Sequence, residues 1–355
     1  MGEIYKKFST SKYEVHFRVD EEFDGLRLDQ YMQDFLVSFS RQQVKKKIKQ
    51  GDIKIINRSY PHKASTKVYY GEEIHLVTYR GNLEDEYWRG DKINLTLDPP
   101  IIFEDKDIIA ISKPSFMTTH PTGKHLFNCA TVYFEEKLDQ TIHSIHRIDR
   151  ETSGTLLLAK NPKAANYCTS KFENDEVKKC YFLMAHRTSE TKEDFTASER
   201  LGSLDDFTPR LFVHCFDEAS QEGKSAQTKF KTIFKNDDYI FMLAFPKTGR
   251  QHQIRAHAAF HGFPLVGDKL YNGDAKVFMR FKDEVATNED HDLMQIPRHA
   301  LHALALQFPY PDDQSIKMLR SNLPEDFKMW INQNIKETTV DEVELKIDAT
   351  LKDFF

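Results

Sequence analysis

The chain has 355 residues, of which 39% are hydrophobic and 30% charged, a balance that excludes a disordered chain and allows two or three domains with sizeable cores. Its 50 lysines and arginines face 55 acids, and a net charge of −5 argues against indiscriminate coating of nucleic acid. No apolar run approaches the ~20 residues of a membrane helix. The first ten residues, MGEIYKKFST, lack a signal-peptide core, so a cytoplasmic location is expected. Cys129, Cys168, Cys180 and Cys215 lack the paired spacing of a disulfide framework or zinc ribbon and are expected to be reduced thiols.

Along the chain, residues 1–19 are an N-terminal extension. Residues 20–78 then show strong local order. Leu28, Tyr31, Met32, Phe35 and Leu36 recur at helical spacing. Ser40 with Gln43 forms a capping box for a second helix, whose Val44 and Ile48 point inward and whose Lys45, Lys46, Lys47 and Lys49 cover the outside. Gly51 stands at the C-cap position, and alternation in Ile53–Ile55 and Val68–Tyr70 predicts short strands. Between Arg41 and Lys67 there are nine basic residues and a single acid, Asp52. Taken alone, such lysines describe a solvated face. In their order, however, Arg27-Leu28-Asp29, Ser40-Arg41 and the segment through Gly51-Asp52-Ile53 resemble an S4 domain, a small helix–helix–strand RNA-binding module. That resemblance implies RNA contacts at Arg41, Lys45, Lys46, Lys47 and Lys49.

Residues 79–99 mix charges with glycine and are expected to be a linker. A second domain over 100–334 opens with a hairpin in IIFEDKDIIAISKP. Strands are predicted at Cys180–Ala185, Gln227–Phe234 and Tyr239–Ala244, and helices at Thr131–Leu138, Pro162–Phe172 and Gln251–His261. Adjacent strands outnumber helices, so an α+β domain with a mixed, mainly antiparallel sheet and flanking helices is expected. Neither a Walker loop nor a dinucleotide fingerprint is present, and no nucleotide cofactor is indicated. The last segment, 335–355, carries six acids against three lysines and is expected to be a disordered or loosely docked tail.

Three clusters carry chemistry. In His146-Arg147-Ile148-Asp149-Arg150-Glu151-Thr152-Ser153-Gly154, an aspartate between two arginines precedes a turn and an apolar strand; neighbouring cations favour its ionised form. The bland alternative is a structural salt bridge at a strand end. In Lys247-Thr248-Gly249-Arg250-Gln251-His252-Gln253-Ile254-Arg255-Ala256-His257, a sharp turn leads into a helix crowded with Arg250, His252, Arg255 and His257, which suits a polyanion site. His257 and His261 have the spacing of metal ligands, but no carboxylate or cysteine completes a set, and no metal is expected. The third cluster, Arg298-His299-Ala300-Leu301-His302-Ala303, signals little by itself.

Together with Gly262-Phe263-Pro264-Leu265-Val266-Gly267-Asp268-Lys269-Leu270-Tyr271, these blocks resemble the RluA family of RNA pseudouridine synthases across roughly Pro100–Pro311. The resemblance implies an isomerase that needs no cofactor and has RNA (rRNA or tRNA) as its partner; a monomer is the default expectation, the sequence leaving the oligomeric state open. It assigns catalysis to Asp149, a paired base to Arg255 and base stacking to Tyr181. It places Arg147 in the space a flipped nucleotide leaves, with Arg250 and His252 as RNA contacts. A carboxylate there attacks C1′ as a nucleophile or removes the C2′ proton as a base, and the residues leave both open. Gln251 and Ile148 depart from the usual threonine and leucine. An inactive RNA-binding or RNA-chaperone protein on the same fold is the alternative, disfavoured by the presence of Asp149, Arg255 and Tyr181.

Overall fold

A computed structural model describes residues 2–36, 39–81, 83–204, 211–313 and 315–355. The chain divides into two compact units: Met1–Glu84 with His120–Asp139, and Asp85–Thr119 with Gln140–Phe355.

In the first unit, β1 (Gly2–Phe8) and β2 (Lys12–Arg18) precede the helices α1 (Leu28–Phe35) and α2 (Arg41–Gln50), the short β3 (Ile53–Ile55) and β4 (Glu73–Tyr79). The sheet order is β1-β2-β4-β3, with antiparallel neighbours throughout. The periodicity in the sequence is realised: Leu28, Tyr31, Met32, Val44 and Ile48 are buried with Ile53, Ile55, Ile74 and Leu76. Both halves of the Ser40 capping box form, and Gly51 ends α2 in the left-handed region at φ 83°. The segment expected as an extension belongs to this core, since Val15, Phe17 and Val19 are buried in it. The alternation at Val68–Tyr70 does not make a strand. Lys67 forms a single bridge with Arg27, and Gly71 turns the chain at φ 78° before β4 begins at Glu73. The helix α3 (Ala130–Leu138), expected in the second domain, clusters with the first unit. Within that unit the Glu84 carboxylate, in the stretch expected as a linker, accepts from the backbone N–H groups of Leu126, Phe127 and Asn128.

The second unit begins with a minor hairpin, β5 (Tyr87–Trp88) and β6 (Asp91–Lys92), also from the expected linker. It continues through β7 (Ile101–Glu104), β8 (Ile108–Lys113), β9 (His143–Ser144), β10 (Ser153–Ala159), α4 (Pro162–Glu173) and β11 (Lys178–His186). After the short β12 (Thr196–Ala197), β13 (Arg200–Gly202) and β14 (His214–Phe216) come β15 (Thr228–Lys235), β16 (Tyr239–Pro246) and α5 (Gln253–Phe260). The chain closes with α6 (Ala275–Lys282), α7 (Asn288–Met294), β17 (Leu301–Pro309), β18 (Ile316–Arg320), α8 (Glu325–Asn334) and α9 (Val340–Phe354). The main sheet runs β12-β15-β16-β11-β17-β10-β8-β7, with β18 on β17 and β9 on β10. Among the described strands only β10 and β17 pair in parallel, through Ser153↔His302 and Gly154↔Ala303. The expected α+β class, with a mixed and mainly antiparallel sheet, holds.

The acidic tail is a correction. Val343, Ile347 and Leu351 recur every four residues, are buried with Phe327, Trp330 and Ile331 of α8, and make α9 part of the core. Its acids lie outside that stripe, Asp348 pairing with Arg320 of β18, so net charge concealed an amphipathic helix. No helix among the described residues is long and apolar enough to cross a membrane.

Candidate active site

Asp149 lies in the turn between β9 and β10. The Thr152 N–H donates to the Asp149 carbonyl at 3.1 Å, closing the turn. Behind it, Thr152 Oγ1 lies 2.7 Å from His299 Nε2, and Ser153 Oγ lies 2.8 Å from His302 Nδ1. Glu151 meets Lys269 Nζ at 3.2 Å and accepts from the His299 N–H at 3.2 Å. Buried Lys113, at the end of β8, donates to the carbonyls of Pro114, Met117 and Arg150. Gly154 must be glycine. Its φ is 111°, and a Cβ there would lie 2.2 Å from the Ala303 carbonyl oxygen of the parallel partner strand.

Arg255 projects from the first turn of α5. That helix begins two residues later than the sequence predicts, because His252 sits at φ 53° in the left-handed region. Gln253 pins the turn: its Oε1 accepts from the Arg250 N–H and Thr248 Oγ1, and its Nε2 donates to the Gln227 carbonyl and Thr228 Oγ1. The Arg255 guanidinium donates two bonds to fully buried Asp268, Nε to Oδ2 at 2.7 Å and Nη2 to Oδ1 at 2.8 Å. Its remaining arm, Nη1, donates to Asp149 Oδ2 at 3.2 Å. A planar fork of this kind holds one carboxylate rigidly and offers a fixed donor to another. Tyr271 places its ring 5.2 Å from the guanidinium carbon.

Burial alone would push the Asp149 carboxyl up, but Arg255, aided by His252 and His299, outweighs it and holds the group below the usual carboxylate range. Burial likewise acts first on His252, followed by the Arg255 charge, and its pKa falls to about 4. At neutral pH His252 is therefore uncharged, and its 4.0 Å approach to Asp149 is not an ion pair. The net result is an ionised carboxylate, 28% exposed, facing an open cleft.

That cleft is lined by Arg147, Asp149, Lys179, Tyr181, Arg250, His252 and Arg255, with Ile148, Ile254 and Leu301 among its apolar walls. Tyr181 stands on β11 directly opposite Ala244 and Ala303, whose small side chains leave volume beside its ring. The six residues of this domain singled out in the sequence thus meet at one place. Arg41, Lys45, Lys46, Lys47 and Lys49 lie on α2 of the first unit. There Lys47 departs from expectation, since only 14% of its side chain is exposed and its ammonium meets Asp52 at 3.4 Å. Sequence reasoning gave no role to Asp268, Glu151 or Gln253. Asp268 stood within the G-D-K-L-Y block, which was the available signal. Of the His257 and His261 pair, His257 Nδ1 meets Thr228 Oγ1 at 3.0 Å and its Nε2 meets the Glu199 carbonyl at 3.1 Å, while His261 Nε2 lies 3.0 Å from the Glu199 carboxylate, a neighbour the sequence did not indicate.

Residues 107–260, which include Asp149, Tyr181 and Arg255, match the family model described as RNA pseudouridylate synthase. The chain belongs to that family. Among curated relatives of the synthase, the ribosomal large subunit pseudouridine synthase D of Blochmanniella floridana is 29% identical over 311 residues, 85% of this chain and 92% of the relative. The mitochondrial tRNA pseudouridine(32) synthase of Saccharomyces cerevisiae is 32% identical over 57% of this chain and 45% of its own length. The solved structure of human RNA pseudouridylate synthase domain containing 4 shares the fold, with a TM-score of 0.53 and 20% identity over 68% of this chain and 94% of that one. The enzyme is accordingly an isomerase, an RNA pseudouridine synthase.

Proposed function

We propose that Asp149 is the catalytic carboxylate and that the enzyme converts a uridine of ribosomal or transfer RNA to pseudouridine without a cofactor. The observation that carries this reading is the Asp149 carboxylate, held 3.2 Å from an Arg255 fork anchored on buried Asp268, in one cleft with Tyr181. The reaction breaks the C1′–N1 bond, rotates the detached uracil and joins C5 to C1′. C5 gives up its proton and N1 gains one, so the product is an isomer. Whether the carboxylate attacks C1′ or removes the C2′ proton, it must be ionised, which is what Arg255 maintains. The Tyr181 ring stacks on the uracil while it is free of the sugar. The target base leaves its own stack to reach the cleft, and Arg147 occupies the space it vacates, with Arg250 and His252 contacting the strand. The first unit acts as an S4-type module that meets RNA phosphates through Arg41, Lys45, Lys46 and Lys49 on α2.

Relatives named for the ribosomal large subunit align over 85% or more of this chain and the mitochondrial tRNA synthase over 57%, so ribosomal RNA is the first substrate to test. The test incubates the protein with ribosomal and transfer RNA, free of nucleotide, and measures pseudouridine beside an Asp149→Asn control. The amide is nearly isosteric but neither nucleophile nor base. Wild type is expected to form pseudouridine and the variant to bind RNA without turnover; appreciable turnover by Asp149→Asn would remove Asp149 from the mechanism.

A further inference from the structure

The cations lining the cleft differ in what neutralises them. Arg255 is shared between Asp268 and Asp149, and Arg250 donates Nε to the Ser225 carbonyl at 3.0 Å. Lys179 is half-buried in the same wall, yet it makes no hydrogen bond or ion pair with any described residue. Arg147, at the exposed rim, is also unpaired among the described residues. Lys179 stands two residues before Tyr181 on β11, so the two side chains share one face of the sheet.

A half-buried ammonium that feels Asp175 only at a distance, with no ion pair among the described residues, is a standing cost to stability, and methionine would fill the same strand position without it. The charge makes physical sense if an anion arrives. Asp149 does not serve, because its carboxylate is engaged by Arg255. An incoming nucleotide brings its own anion, the phosphodiester, into the cleft that Lys179 and Tyr181 both line. We propose that Lys179 binds a phosphate flanking the target uridine, with Arg147 as the second cation on that strand. Lys179 is thus a positioning residue that seats the sugar over Asp149. This rests on the reading of the cleft as the uridine site. In a partly desolvated wall the attraction is stronger than at the surface, and burial, which lowers the Lys179 pKa below its ordinary value, is offset once phosphate is bound.

The test uses the full chain carrying Asp149→Asn and a fluorescent stem–loop RNA with a uridine-rich loop. Adding Lys179→Met should weaken binding roughly tenfold and flatten the slope of log affinity against log salt by ~0.7. The melting temperature should hold or rise, and Lys179→Arg should restore both affinity and slope. In the otherwise wild-type enzyme Lys179→Met should raise KM more than it lowers kcat. Unchanged affinity and slope would overturn the proposal. So would a fall in melting temperature with loss of binding that Lys179→Arg does not rescue, since that marks a structural role. Failure of wild type to form pseudouridine would instead sink the assignment of the cleft, a result separable from the salt slope.

Discussion

The electrostatic role of Arg255 makes a quantitative demand on the pH dependence of the reaction. Arg255→Met alone would leave fully buried Asp268 as an orphan carboxylate, and breaking a buried pair costs ~3–5 kcal/mol. The informative variant is therefore Arg255→Met with Asp268→Asn, which removes both charges and isolates Asp149. At 3.2 Å and an effective dielectric of about 20, the attraction between Arg255 and Asp149 is about 5 kcal/mol. With 28% of the Asp149 side chain exposed, solvent screening reduces this to roughly half. Asp149 works ionised and its pKa is held down in the native enzyme, so wild-type activity is full at neutral pH and is lost only as pH falls through that lowered value. Without the cation, burial pushes the carboxyl up, and the same loss begins at higher pH. Half of the attraction corresponds to an upward move of the acid limb by about two pH units. The assay is the pH profile of kcat/KM on the RNA that wild type modifies, with melting temperature measured on each sample. An acid limb that stays where wild type has it, in a variant that remains folded, would refute the electrostatic assignment.

Three further outcomes follow from other parts of the molecule. Changing Lys45, Lys46 and Lys49 together to glutamine should weaken RNA binding and flatten its salt slope by about two, ~0.7 for each lost phosphate contact on single strands; an unchanged slope would leave those lysines as a solvated face. Gly154→Ala forces a Cβ into the Ala303 carbonyl at a φ of 111° and should cost upwards of ~3 kcal/mol, seen as a large fall in melting temperature or loss of soluble protein. A wild-type melting curve would contradict the close approach of β10 and β17. Ile347→Ala empties a fully buried site under α9 and should cost ~2–5 kcal/mol by denaturant unfolding, whereas a dispensable tail would tolerate it within ~0.5 kcal/mol.

Much of this protein was legible in its residues because the signals were local. The Ser40 box, the Gly51 cap, the buried stripe of α1 and α2 and the apolar run of β10 each depend on contacts a few residues apart, and each formed as read. Asp149, Arg255 and Tyr181 carried recognisable surroundings and proved to share one cleft. Where a local rule failed, a distant contact had overridden it. Val15, Phe17 and Val19 enter the first core only because β2 pairs with β4, some sixty residues away in the chain. His120–Asp139 clusters with the first unit although its flanking segments build the second. The acidic segment orders because α9 finds Phe327, Trp330 and Ile331 to cover Val343, Ile347 and Leu351, a gain in buried apolar surface that net charge does not register. The electrostatics of the site were the least legible part. Asp268 lies thirteen residues beyond Arg255 in the chain, and although it stands in the G-D-K-L-Y block, nothing local says that it is buried or that Arg255 is its partner. Tertiary structure alone buries it, turns two arms of the guanidinium toward it and leaves the third for Asp149, and in a low-dielectric setting that division decides which carboxylate is scaffold and which faces the cleft.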